Sequence, residues 1–131
     1  MTTEEKIEYW QGLSNDDLKV AEDLLTLKHF LYVVFMCHQS IEKMMKAYYV
    51  KLINDTPPFT HELLLLSSKG GFYDDLSEEQ KKFIRQLNPL NIRTRYPEYR
   101  GLIYKQLTPS VCEQILEQTK QLHQWISEKL S

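Results

Sequence analysis

The stretch from Phe30 to Asn54 constrains the fold of this 131-residue chain more than any other. Phe30, Val34, Cys37, Ile41, Met44, Tyr48 and Leu52 recur at steps of three and four, and Phe35, Met45 and Tyr49 widen the sector they define. That spacing predicts a helix with a broad apolar stripe, which has to be covered by other elements and makes it the central helix. Asn54, Asp55, Thr56, Pro57 and Pro58 end it, because paired prolines cannot continue the hydrogen-bond ladder and push the residue before them out of the helical region.

The flanking segments are read by the same periodicity. Ile7, Trp10, Ser14, Leu18, Ala21 and Leu25 place one stripe on a first helix from about Thr3 to Lys28. Gly12 weakens its middle and Ser14 with Asp17 resembles a capping box, but the unbroken stripe favours one long helix. Thr60 is a cap for a short third helix starting at His61 and running through Leu63, Leu64, Leu65 and Leu66, with Gly70 and Gly71 as a left-handed terminator. Ser77 and Gln80 form a capping box for a fourth helix through Phe83, Ile84 and Leu87 that ends near Pro89. From Asn88 to Thr108 periodicity lapses around Pro89, Pro97 and Gly101, which predicts one long irregular segment. Thr108 as cap and Pro109 at the first position open a last helix with the stripe Val111, Ile115, Thr119, Leu122, Ile126 and Lys129. With no strand signal, the expectation is an all-α, antiparallel up-and-down bundle of about five helices in one domain, 1–131.

Charge is unevenly distributed. Between Lys81 and Lys105 stand Lys81, Lys82, Arg85, Arg93, Arg95, Arg100 and Lys105 against Glu98 alone, a local +6, so the rest of the chain carries −8 within a net charge of −2. The whole protein is therefore no general nucleic-acid binder, while one segment has the field to attract an anion. Cys37 and Cys112 lie inside apolar patterns without metal-ligand spacing and read as buried free thiols. No metal or other cofactor is implied, and with no signal segment or membrane-length apolar run the expected location is the cytoplasm.

Two sets of residues are candidates for chemistry. On the central helix, His38, Glu42 and Lys46 fall in one row at steps of four, with Gln39, Lys43 and Lys46 in the adjoining row. They make a hydrogen-bonding face, whose simplest reading is a solvated stripe with surface ion pairs worth about 0.3 to 0.5 kcal/mol each. In the basic segment, Arg93, Arg95 and Arg100 offer guanidinium forks for phosphate, and Tyr96, Tyr99 or Tyr104 a face on which a base can stack. The structural alternative there is pairing of the arginines with acidic neighbours and a Tyr96-Pro97 plug at the bundle's end. His29, His61 and His123 read as structural or solvated.

The string His38-Gln39-Ser40-Ile41-Glu42-Lys43-Met44-Met45-Lys46-Ala47 resembles the HQxxEKxxKA signature of the HEPN family, helical domains associated with nucleotides. Asp17-Leu18 with Ala21, Pro57-Pro58 with Thr60-His61-Glu62-Leu63, and Arg93-Thr94-Arg95-Tyr96-Pro97 follow in the family's order. The resemblance implies a bundle of the nucleotidyltransferase substrate-binding-subunit type that forms a homodimer. It also implies a frequent pairing with a small nucleotidyltransferase partner, as toxin and antitoxin. Many members are metal-independent ribonucleases in which an arginine holds phosphate and a histidine a short spacer later moves protons. Here Glu98, Tyr99 and Arg100, or Arg100, Gly101 and Leu102, fill the positions that histidine would take. Tyrosine and arginine, titrating at about 10 and above 12, are poor substitutes near neutral pH. The expectation is therefore a non-catalytic module binding a nucleotide, RNA or other phosphate-bearing ligand, or a nucleotidyltransferase, through His38, Gln39, Glu42, Lys43 and Lys46 together with the Arg93 to Arg100 segment. A ribonuclease toxin with a displaced site and a purely structural dimerisation domain are the alternatives.

Overall fold

Thr2 starts the first helix, α1 (Thr3–Thr26): its hydroxyl accepts from the Glu5 amide while the Glu5 carboxylate accepts from the Thr2 amide. That exchange satisfies two of the amides a helix start leaves open. The computed structural model describes the backbone of residues 1–93 and 97–131, and their side chains except those of residues 92, 93, 97–100 and 103. Helix α1 passes unbroken through Gly12 and Ser14. Ser14 does not cap anything: its hydroxyl donates to the Ser40 carbonyl at 2.6 Å, and the Ser40 hydroxyl donates back to the Ser14 carbonyl at 3.0 Å. Both serines are buried, and the exchange pins α1 to the second helix, α2 (Phe30–Ile53).

The corner between them is closed by two crossed hydrogen bonds, His29 amide to Leu24 carbonyl and Lys28 amide to Leu25 carbonyl. This closure needs a left-handed residue, and Lys28 supplies it at φ 66°. From Val33 to Val50 no position of α2 is exposed, so this helix is enclosed on every side. Val34, Cys37, Ile41, Met44 and Tyr48 are buried as the stripe predicts, but Leu52 is exposed, close to where Asn54 ends the helix in the left-handed region at φ 59°.

Four shorter helices follow α2: α3 (Leu63–Lys69), α4 (Glu78–Leu87), α5 (Leu90–Arg93) and α6 (Pro97–Gln106), with a 3₁₀ turn at Tyr73–Asp75. These carry the chain back, so that the last helix, α7 (Pro109–Leu130), runs parallel to α2: the Cys112 thiol meets the Phe30 carbonyl at one end, and the Lys51 ammonium donates to the Lys129 carbonyl at the other. Against α1 it is antiparallel, with Gln11 at Ser127 and Glu22 at Lys120. Thr108 caps α7 by accepting from the Val111 amide, with Pro109 at the first position. Helix α4 keeps its Ser77–Gln80 capping box.

Three local expectations are corrected. Helix α3 starts at Leu63, not His61, because the Thr60 hydroxyl accepts from the Glu62 amide in a turn ahead of the helix. Asn88 then does the capping from a distance, accepting from the Leu63 amide at 2.7 Å and donating to the Glu62 carboxylate at 2.8 Å. The segment from Asn88 to Thr108 is not one irregular loop, since α5 and α6 lie within it and both pack on α2. At the end of α3 only Gly71 is left-handed, at φ 81°. Gly70 serves differently: a Cβ there would stand 2.7 Å from the ring of Phe72, which is fully buried against Tyr48.

Cys37 and Cys112 are buried and unbridged, and burial pushes their thiols up to about 12 and about 11. Among the described residues there is no strand, and no helix is long and apolar enough to cross a membrane.

Candidate functional site

The polar row of α2 is not the solvated stripe that its residue types suggest. His38, Glu42 and Lys46 expose 0%, 3% and 7% of their surface, as little as the apolar positions beside them. A carboxylate at that depth requires partners, because an unpaired buried charge costs several kcal/mol. Glu42 has them on both oxygens. Its Oε2 accepts from the Lys46 ammonium at 3.1 Å, while its Oε1 lies 2.8 Å from Nδ1 of His61 and 3.9 Å from Nδ1 of His38. Lys46 in turn sits 5.2 Å from the ring centroid of Trp10 on α1, whose face favours a cation where water is scarce.

The adjoining residues reach other elements. Lys43 pairs with Asp17 of α1, and Gln39 donates to the Asn91 side-chain carbonyl at 2.9 Å, tying α2 to α5. Asn91 is fully buried, so this contact fixes the chain within the basic segment, two residues before Arg93. The five candidates on α2 therefore do come together, as an internal brace with contacts to α1, to the turn before α3 and to α5.

His61 is the member that periodicity missed. Its side chain is half exposed while Nδ1 holds the buried Glu42 carboxylate. An imidazole so held has its tautomer fixed and its other nitrogen turned from the carboxylate, the arrangement that suits proton uptake from a group in solvent. The only sequence signal was the Thr60-His61-Glu62-Leu63 string; nothing local links residue 61 to residue 42. Trp10, Asp17 and Asn91 were likewise missed as partners.

Among the basic candidates, Arg95 and Tyr96 lie outside the described residues. Arg93 ends α5, and Tyr99 and Arg100 stand in α6, with side chains outside those described. Of the cations around them, Lys81 is engaged by Glu78 at 3.5 Å and by the Tyr73 ring at 4.7 Å, whereas Lys82, Arg85 and Lys105 are exposed and unpaired among the described residues. Among those residues no group of three His, Cys, Asp or Glu side chains is placed to hold a metal ion.

Residues 7–130 match the model of the HEPN domain. No curated protein matches the chain. Among solved structures it is similar to TT1696 from Thermus thermophilus, with a TM-score of 0.80 at 21% identity over 95% of this chain and 98% of that one. At that identity the likeness establishes the fold.

Proposed function

Because the chain belongs to the HEPN domain family, we propose from that premise that it is a non-catalytic binding module. Its ligand is a nucleotide or other phosphate-bearing molecule, held at the basic segment of α4 to α6, and its working form is a two-fold dimer paired with a nucleotidyltransferase in a toxin and antitoxin system. The observation that carries this reading is a division of labour. The hydrogen-bonding groups of Gln39, Glu42, Lys43 and Lys46 are taken up inside the chain, whereas Lys82, Arg85 and Lys105 stand exposed and unpaired among the described residues. Gln39 and its row support the segment from within; the cations of the segment meet the ligand.

Titration with inorganic pyrophosphate tests this. Arg95→Ala should weaken binding by roughly 1.5 to 3 kcal/mol, the worth of a charge-assisted contact, and added salt should weaken it further. Unchanged affinity removes the arginine from the site. Light scattering that returns the monomer mass of 15.6 kDa at high concentration rejects the dimer.

One observation favours a second reading, the ribonuclease with a displaced site. Glu42 holds His61 as an orienting carboxylate holds a general base, at 2.8 Å, with the ring half exposed. Metal-independent RNA cleavage that is lost in His61→Ala would establish this reading in place of the first.

A further inference from the structure

At the end of the bundle where α1 starts and α2 stops lies a cavity of about 280 Å³ that contains none of the candidate site residues. Lys6, Tyr9 and Trp10 line it from α1, Thr56 and Pro57 from the segment after α2, and Met1 from the residues ahead of α1. We propose that this cavity binds a small aromatic carboxylate, one ring carrying an acid group, with the ring in the corner between Tyr9 and Trp10 and the carboxylate on Lys6. The site is separate from the basic segment and stands whether or not the arginines there bind phosphate.

Its walls are set by helical spacing and by one tether. Tyr9 and Trp10 follow Lys6 by three and four residues, so the three share a face of α1. That face is held against the chain leaving α2 by the Thr3 hydroxyl, which donates to the Asn54 side-chain carbonyl at 2.6 Å, and the facing Pro57 is buried with its φ fixed by the ring. The cavity is thus formed before a ligand arrives, and a preformed site loses less of its contact energy to ordering. The Tyr9 and Trp10 rings meet edge to face, 5.4 Å between centroids and 87° between planes, which makes a right-angled aromatic corner. Tyr9 keeps 46% of its surface exposed, and a ring seated there removes part of it from water.

The sign of the ligand follows from the cations. An aromatic corner by itself suits an ammonium group. Here the Trp10 ring already has one, the Lys46 ammonium at 5.2 Å from its centroid, and Glu42 neutralises it. Lys6 differs: it is half-buried, has no ion pair among the described residues and is the one charged side chain in the walls. Such an ammonium gains a charge-assisted hydrogen bond from an entering carboxylate. Size decides the rest. Sites for drug-sized ligands start at about 300 Å³, so this cavity holds a single ring with its acid group and excludes a longer peptide segment.

The experiment is titration of the full chain with phenylacetate, read by the fluorescence of Trp10 in a Trp125→Phe background that leaves it the sole indole. Phenylacetate should change that emission saturably. Phenylacetamide, which lacks the charge, should bind about tenfold more weakly, and benzylamine, of opposite charge, weaker still. Lys6→Met should weaken phenylacetate about tenfold and leave phenylacetamide unchanged, whereas Tyr9→Ala should weaken both alike, by about threefold or more. No saturable change with phenylacetate overturns the proposal, as does equal affinity in Lys6→Met and its parent, or benzylamine binding as tightly as the acid. Displacement by inorganic pyrophosphate, or loss of binding in Arg95→Ala, puts the acid on the basic segment, which overturns the cavity and leaves the proposed function standing. Phe59 projects fully exposed from the segment that also carries Pro57. If Phe59→Ser turns a dimer into a monomer and admits phenylacetate where its parent does not, the occupant is the ring of a second copy and the free acid is rejected.

Discussion

Helix α2 buries two unlike flanks to the same depth. Ile41, Met44 and Met45 are fully enclosed by apolar neighbours, and His38, Glu42 and Lys46, interleaved with them, are almost as inaccessible. The first set needs only volume and shape, which many neighbours can supply. The second needs particular atoms at particular distances: a second nitrogen on Glu42 from His61, and the face of Trp10 over Lys46. An apolar flank specifies that α2 is covered, whereas a polar one specifies by what.

The comparison breaks or sharpens at its largest expected effect. Glu42→Ala should destabilise the chain by about 3 to 5 kcal/mol in denaturant unfolding, since it leaves the Lys46 ammonium buried without its carboxylate. Removing both charges, as Glu42→Leu with Lys46→Met, should recover most of that loss, because a well-packed apolar replacement of a buried pair is often neutral. If the double variant is no better than Glu42→Ala, the flank depends on shape rather than on charge and the contrast fails. On the other flank, Ile41→Ala should cost about 2 to 5 kcal/mol through lost contact and the cavity left behind, with no second substitution on the polar row able to restore it.

A smaller effect is expected where the polar row reaches α5. Asn91→Ala should cost about 1 to 3 kcal/mol by leaving the Gln39 amide without its acceptor, measured in the same unfolding experiment. Hydrogen exchange should then quicken in α5 before it changes in α1, because Gln39 ties only the former. The smallest effect concerns pH. Burial lowers the pKa of His123 on α7, so the folded chain resists a proton that the unfolded chain accepts near 6.5. That contribution is present above about pH 6.5 and lost as pH falls below it. Tm should decline between about pH 6.5 and 5, and less steeply in His123→Gln; equal slopes would remove this histidine from the pH dependence.

How much of this was legible in the sequence follows from the kind of signal each element carries. Helices α1, α2, α4 and α7 were readable because their stripes are long and their caps, Ser77 with Gln80 and Thr108 with Pro109, act through neighbours in sequence. Helices α5 and α6 were not, since Pro89, Pro97 and Gly101 interrupt stretches too short to establish a period. The start of α3 was misplaced because the group that caps it, Asn88, is 25 residues away. Within the candidate site, the row His38, Glu42, Lys46 was visible as a row, but steps of four between charges read the same on a wet face and a dry one. Its partners Trp10 and His61 stand far from it in sequence, and only the Thr60-His61-Glu62-Leu63 string hinted at the second. The basic segment was visible by charge alone, and its Arg95 and Tyr96 lie outside the described residues.

The two buried thiols give the molecule a built-in reporter. A thiol reagent attacks the thiolate, and with pKa values of about 12 and about 11 less than about a hundredth of either group is ionised at about pH 8 even before burial blocks access. Labelling must therefore wait for α7 to lift from α2, where Cys112 meets Phe30 and Cys37 lies beside Thr119. Its rate counts openings of that seam, and comparing the two cysteines tells whether the helix peels from its first turn or leaves all at once.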